Sequence, residues 1–79
     1  MIIKVLGPGC KKCETLEKEL KNALAELNVA ADVQKVSKMD KIMQYDVMMT
    51  PALVVNDKVK VAGRVPKLEE IKKLIQEEL

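Results

Sequence analysis

The stretch MIIKVLGPGCKKC, residues 1–13, decides the fold of this chain. Its first part, Met1 to Leu6, is short and almost wholly apolar, which is typical of a buried strand. Gly7-Pro8-Gly9 then predicts a tight turn. Cys10 and Cys13 follow at once, where a helical pattern begins, so the two thiols stand between a strand and a helix.

The helix that starts at Lys11 is predicted by the spacing of its apolar residues. They recur every three or four positions, while lysines and glutamates occupy most of the other positions. Asn28 marks the expected end of the helix. The apolar face consists of Cys13, Leu16, Leu20, Ala23, Leu24 and Leu27. Cys13 is therefore expected to face the core, whereas Cys10 in the turn is not.

Two shorter elements follow this helix. Residues 30–36 (AADVQKV) predict a weaker, mixed strand, and Ser37 is suited to cap a short helix from Lys38 to about Tyr45. Ile42 should lie on the inner side of this helix. The methionines in and after it are expected to fill gaps in the core: Met39, Met43, Met48 and Met49. The last two also precede a Thr-Pro pair, where they could form an apolar rim.

The C-terminal part predicts a hairpin and a closing helix. Ala52 to Val55 is apolar and β-branched, and Asn56-Asp57 is a two-residue turn signal. Residues 58–61 alternate, so valines should face one side and lysines the other. Pro66 suits the first position of a helix. The apolar stripe of that helix is Leu68, Ile71, Leu74 and Ile75.

These elements predict a single α/β domain, residues 1–79, in the order β-α-β-α-β-β-α. The first and third strands are nearly continuous apolar runs, as expected for the centre of a sheet, and the other two carry charges that suit edge strands. The first crossover makes its two strands parallel, and the last two strands form a hairpin. The expected sheet is mixed and four-stranded, with order 2-1-3-4 and helices on both faces. Lys4, in a central strand, is not explained by this pattern.

Composition excludes several classes of function. Tyr45 is the only aromatic residue, and 14 basic and 12 acidic residues are interleaved, so neither a stacking surface nor a phosphate-binding stripe for nucleic acid is expected. No apolar run approaches the length of a membrane span, and no signal peptide is recognisable. We therefore expect a monomer in the cytoplasm, a reducing compartment where two closely spaced cysteines are more often catalytic or metal-binding than structural.

The chemistry expected of Cys10 and Cys13 is thiol–disulfide exchange. A helix N-terminus favours a thiolate, and Lys11 and Lys12 between the cysteines add positive charge. A closed zinc site needs four ligands, but the chain has two cysteines and no histidine. Two thiolates do suffice for copper(I). A copper(I) metallochaperone and a redox-regulated interaction module therefore remain alternatives to a redox enzyme, whose site would hold no metal.

The chain resembles the thioredoxin/glutaredoxin superfamily in its shortest form. Cys10-Lys11-Lys12-Cys13 after the first strand carries the resemblance, together with Thr50-Pro51 at the head of the third strand and Gly63 after the hairpin. The Gly7-Pro8-Gly9 opening and the short length are similar to small archaeal and bacterial redox-active disulfide proteins. In this family the proline is cis and faces the disulfide.

The resemblance implies a dithiol reductase without an organic cofactor. Cys10 would be the nucleophile and Cys13 the resolving thiol. The substrate groove would include Gly9, Thr50, Pro51 and Gly63. The implied partners are proteins with disulfides, and a thioredoxin-reductase-like or other dithiol reductant. Glutathione is not expected as a partner, because residues 62–65 (AGRV) lack the aspartate that glutaredoxins use to hold it.

Overall fold

The computed structural model describes residues 1–79, and its elements follow the predicted order. The strands are β1 (Ile2–Leu6), β2 (Asp32–Val36), β3 (Ala52–Val55) and β4 (Lys58–Ala62). The helices are α1 (Lys11–Leu27), α2 (Met39–Met43) and α3 (Leu68–Gln76). None of these helices is long and apolar enough to span a bilayer.

The four strands form one mixed sheet in the order β2-β1-β3-β4, which confirms the predicted topology. β1 is parallel to β2 and antiparallel to β3, and β3 and β4 form the hairpin. Because β1 and β2 are parallel, their carboxyl ends lie at the same edge of the sheet. Leu6 is paired with Val36 there, and the next residue, Gly7, donates its N–H to the Val36 carbonyl at 2.9 Å.

Each face of the sheet has its own apolar cluster. The larger cluster packs α1 and α3 against one face and includes Ile3, Val5, Leu16, Leu20, Leu53 and Ile71. The smaller cluster lies on the α2 face and consists of Leu6, Ile42, Ala52 and Val54. Alternate side chains of β1 enter opposite clusters, since successive residues of a strand point to opposite faces. The face covered by α1 and α3 therefore supplies most of the core, and the short α2 covers the other face only in part.

Three expectations about this second face and the helix ends are wrong. The N-cap of α2 is Lys38 and makes no side-chain capping bond, so Ser37 is not the cap. α3 begins at Leu68 after Lys67, and Pro66 is instead buried ahead of the helix. α2 has only five residues, and Ile42 is the one that it buries against the sheet, so the short helix has no room for methionines in the core. The methionines expected in the core are exposed instead: Met39, Met43, Met48 and Met49.

The alternation predicted for β4 is also wrong, because a bulge interrupts the strand. Leu53 is paired with Val61, but the next residue of β3, Val54, is paired with Val59. Lys60 is the extra residue, and such an insertion changes the face on which the following side chains lie. Val61 is buried, whereas Val59 is exposed.

Lys60 is held at the bulge by the end of the chain. Its ammonium lies 2.7 Å from a Glu78 carboxylate oxygen and 3.2 Å from Glu77. Lys58 also pairs with Glu78, at 3.2 Å. These ion pairs tie the residues that follow α3 to the edge strand, so the closing helix is anchored beyond its apolar stripe.

Candidate active site

Cys10 is the N-cap of α1. Its backbone is extended (φ −75°, ψ 169°), and its sulfur accepts a hydrogen bond from the Cys13 backbone N–H at 3.3 Å. The Cys10 carbonyl accepts from the Glu14 N–H at 3.0 Å, which closes the first helical turn. A sulfur in the capping position is thus surrounded by N–H groups that have no partner inside the helix. This arrangement favours a negative charge on the sulfur.

The two cysteine sulfurs lie 2.6 Å apart, and both cysteines are free thiols. Cys10 is exposed, whereas Cys13 is buried in the helix face, with 6% of its surface accessible. One sulfur is therefore open to an incoming molecule. The other can reach only its neighbour.

The environments of the two thiols shift their pKa values in opposite directions. The hydrogen bond from the Cys13 thiol lowers the pKa of Cys10, and the backbone N–H of Cys13 lowers it further. Burial raises the pKa of Cys13, and the hydrogen bond to Cys10 adds to this effect. The pair therefore loses its first proton more readily from Cys10 than from Cys13.

Lys11 and Lys12 have exposed side chains that make no hydrogen bond and no ion pair. The groups in contact with the Cys10 sulfur are instead the Cys13 thiol and the N–H groups of the first turn. The thiolate-stabilising role expected of the two lysines stays a prediction, since any effect of theirs would act through solvent.

Three of the predicted groove residues, Thr50, Pro51 and Gly63, are linked to one another, and Gly7 lies between Pro51 and Cys13. Gly7 is packed so tightly against Cys13 that a methyl group on it would overlap the sulfur and lie 3.9 Å from the Pro51 Cα. Pro51 is buried, and the peptide bond between Thr50 and Pro51 is cis. The Pro51 carbonyl accepts a hydrogen bond from the Gly63 N–H at 2.9 Å. Residues far apart in the sequence thus meet beside the buried thiol.

Gly63 and Gly9 both have backbone conformations that favour glycine, with φ of +84° and +95°. Around Gly63 the space is filled, because an added Cβ would lie 3.0 Å from the Met49 Cβ. Gly9 has open space around it. Met48 is 96% exposed, and Met49 is 63% exposed next to Thr50. These two methionines therefore lie at the surface beside the predicted groove.

A small cavity of about 90 Å³ opens beside Cys13. Gly7 and Gly9 line it, together with Glu17 of α1 and two residues of the β2 end, Lys35 and Ser37. Glu17 forms ion pairs with Lys35 at 3.1 Å and with Lys21 at 3.2 Å. The pKa of Glu17 is lowered, mainly by Lys35, so its carboxylate stays charged at neutral pH.

Sequence patterns had not indicated several residues at this site. Gly7 was predicted only as part of a turn, but its missing side chain makes room for the Cys13 sulfur. The cavity residues Glu17, Lys35 and Ser37 come from two elements, and nothing in their local spacing brings them together. The signal that could have identified Gly7 was its position, because a glycine that ends a buried strand beside a thiol often permits a close approach.

Comparison with known proteins agrees with this geometry. Residues 1–76 match the family model of the thioredoxin domain. A thioredoxin from Methanothermobacter thermautotrophicus is 39% identical over 75 residues, which cover 95% of this chain and 97% of the relative. A thioredoxin from Methanocaldococcus jannaschii is 33% identical over 72 residues, covering 91% of this chain and 83% of the relative. With its dithiol at the start of α1, the chain therefore belongs to the thioredoxin family of thiol–disulfide oxidoreductases.

Proposed function

We propose that this protein reduces disulfide bonds in partner proteins with the dithiol of Cys10 and Cys13. The observation that carries the proposal is the asymmetry of the two sulfurs, which lie 2.6 Å apart with Cys10 exposed and Cys13 buried. Disulfide reduction needs one thiol that attacks an external disulfide and a second thiol that attacks the first. The exposed, capping Cys10 suits the first role, and the shielded Cys13 suits the second.

The reaction consists of two exchanges. The Cys10 thiolate attacks one sulfur of the partner disulfide, the partner's S–S bond breaks, and the other partner sulfur leaves as a thiolate that takes up a proton. Cys13 then loses its proton and attacks Cys10, which releases the second partner thiol and leaves a Cys10–Cys13 disulfide. Two electrons pass from the protein to the partner. An external dithiol reductant, such as a thioredoxin-reductase-like enzyme, must then restore the two thiols.

The surrounding residues have supporting roles in this proposal. The first-turn N–H groups stabilise the Cys10 thiolate directly, and Lys11 and Lys12 raise the local positive potential. Gly9, Thr50, Pro51 and Gly63 shape a groove for an extended segment of the partner. No organic cofactor is required, and the reducing cytoplasm is the compartment that suits this direction of reaction.

The test is reduction of a protein disulfide, with insulin as the probe and dithiothreitol as the terminal reductant. We expect the wild-type protein to accelerate the reaction and Cys10→Ser to abolish the acceleration. Lys11→Gln with Lys12→Gln should slow the attack without abolishing it. Copper content is measured on the same sample. A protein that leaves insulin reduction at the background rate, or retains one copper(I) and resists oxidation of its thiols, contradicts the proposal.

A further inference from the structure

A second cavity, of about 480 Å³, lies on the α2 face of the sheet and is lined by four lysines. We call it the basic groove: Lys4, Lys35, Lys38 and Lys41, with Ser37 and Tyr45, are its principal residues. The remaining lining residues are uncharged, and no carboxylate lines the groove. Its volume falls in the range of sites that bind small molecules.

The positive charge of the basic groove is mostly uncompensated. Lys35 is paired with Glu17, but Lys4, Lys38 and Lys41 form no ion pair. Of the three half-buried lysines, Lys60 and Lys72 have carboxylate partners, whereas Lys4 has none. A cavity that gathers lysines and excludes carboxylates has the electrostatics of an anion-binding site.

Lys4 provides independent support. It is half-buried in the central strand β1, and its ammonium donates a hydrogen bond to the Tyr45 hydroxyl at 2.7 Å. The ammonium also lies 5.4 Å from the centre of the Tyr45 ring. Asp57 acts on Lys4 only through space, without an ion pair. Lys4 is thus a half-buried cation whose only hydrogen-bond partner is neutral, so its charge remains available to an anion in the groove.

The basic groove and the small cavity beside Cys13 meet at the end of β2. Lys35 and Ser37 line both the groove and the small cavity beside Cys13. The hydrogen bond from Gly7 to Val36 joins the ends of β1 and β2, and Gly7 begins the loop that carries Cys10. A ligand that extends from the groove past Lys35 and Ser37 would place its other end in the small cavity beside Cys13.

We propose that the basic groove binds the phosphate groups of a low-molecular-weight disulfide and thereby presents its S–S bond to Cys10. This inference rests on the proposed dithiol chemistry and names a further substrate class for it. Several ammonium groups spread along an open groove suit a ligand with more than one phosphate, since lysine binds phosphate as a point charge from many directions. The protein would then reduce a phosphorylated small disulfide in addition to protein disulfides.

The reaction balances as it does with a protein substrate. The Cys10 thiolate attacks one sulfur of the small disulfide, and the other sulfur leaves as a thiolate that takes up a proton. Cys13 loses its proton, attacks Cys10 and releases the second small thiol. One small disulfide becomes two small thiols, and the protein dithiol becomes the Cys10–Cys13 disulfide. Regeneration uses the same dithiol reductant as before.

The test compares two probes that share a reacting disulfide but differ in phosphate content. Coenzyme A disulfide carries phosphates, and pantethine is the corresponding disulfide without them. Fully reduced protein is mixed with each probe, and the rate constant of a single turnover is measured, so no other reductant is present. We expect coenzyme A disulfide to react about tenfold faster or more, because electrostatic steering raises association rates by roughly 10- to 1000-fold. The ratio of the rate constants of coenzyme A disulfide and pantethine should fall at high salt.

Two variants test whether the lysines of the basic groove cause the difference in rate between the two probes. Lys38→Gln with Lys41→Gln removes two exposed, unpaired charges of the groove and should bring the ratio of the two rates close to one. Lys73→Gln removes a charge from α3, on the opposite face, and should leave the ratio unchanged. Adenosine 3′,5′-bisphosphate, as a probe of binding alone, should shift the amide signals of Lys41 and Tyr45 in the reduced protein.

Several results would overturn the inference. Equal rates with the two probes would do so, as would a ratio that survives the double lysine variant. Faster reduction of glutathione disulfide than of coenzyme A disulfide would contradict the assignment to phosphate, because the charged groups of glutathione are carboxylates and amines. Insulin reduction is measured alongside. If insulin is still reduced, only the basic groove has been misassigned, whereas failure with every disulfide contradicts the proposed function itself.

Discussion

Gly7 lies directly against Cys13, at a point where the structure has no room for a side chain. A methyl group on Gly7 would overlap the Cys13 sulfur and lie 3.3 Å from its Cβ. Gly7 is also buried and donates its N–H to Val36, so its backbone cannot move away without breaking a strand contact. The end of β1 and the first turn of α1 are thus fitted to each other around the buried sulfur.

Gly7→Ala should therefore destabilise the reduced protein by about 1–3 kcal/mol, the usual cost of overpacking a closed site. Removing the sulfur should relieve part of this cost. In the Cys13→Ala background we expect the same substitution to cost about 1 kcal/mol less, which is a coupling typical of residues in contact. Chemical denaturation of the four proteins in the cycle measures both values. Additive effects would show that the two residues do not press on each other.

The two cysteine variants should fail in different ways. Cys10→Ser should not attack disulfides, because the remaining Cys13 thiol is buried. Cys13→Ser should still attack but should accumulate as a mixed disulfide with its partner, since no second thiol releases it. Mass spectrometry and non-reducing gels after mixing with insulin distinguish these outcomes. A Cys10→Ser protein that traps partners would reverse the assigned roles.

The rate of thiol alkylation should depend on pH differently at the two cysteines. The pKa of Cys10 is lowered, mainly by the hydrogen bond from Cys13, so its rate should rise with pH and level off below the value of about 8.5 for a free thiol. The pKa of Cys13 is raised by burial, so its reaction should begin only above that value. Iodoacetamide labelling of the reduced protein, analysed by peptide mass spectrometry, gives both profiles. The opposite order would contradict the geometry.

Gly63 and Gly9 provide a matched pair for the groove. Both have positive φ, so alanine at either position should cost about 1–2 kcal/mol of backbone strain. Only at Gly63 would the new methyl group also press on Met49. We expect Gly63→Ala to be the more destabilising, and Met49→Ala to reduce the difference. Thermal unfolding of these variants is the measurement, and equal costs at both glycines would exclude the Met49 contact.

The ion pairs at the β4 bulge should make stability depend on pH. The pKa of Glu78 is lowered, first by Lys60 and then by Lys58, so its contribution is present above the pKa of an unfolded glutamate, about 4.3. It is lost as the pH falls through the lower pKa of the folded state. Glu78→Gln should therefore lower Tm at pH 7, and the difference from wild type should shrink below about pH 4. Glu19→Gln, at a residue without an ion pair, is the control and should change Tm little at either pH.

The overall topology and the pair of reacting residues could be predicted from the sequence because both depend on local signals. The apolar runs of β1 and β3, the helical period after Lys11 and the turn at Asn56-Asp57 are patterns of neighbouring residues. Few sheet orders are compatible with one crossover and one hairpin. The position of Cys10 and Cys13 at the start of a helix likewise follows from a short stretch of chain.

Tertiary structure alone decided what surrounds those sulfurs. The packing of Gly7 against Cys13, the hydrogen bond from Lys4 to Tyr45 and the bulge at Lys60 all join residues that are distant in the sequence or depend on strand register. Local propensity carries no information about such contacts, since they are selected by which side chains fit together once the sheet has formed. The sequence by itself determined a dithiol on a small α/β sheet, with Cys13 on the apolar face of its helix, and packing decided what surrounds the buried sulfur and where the positive charge gathers.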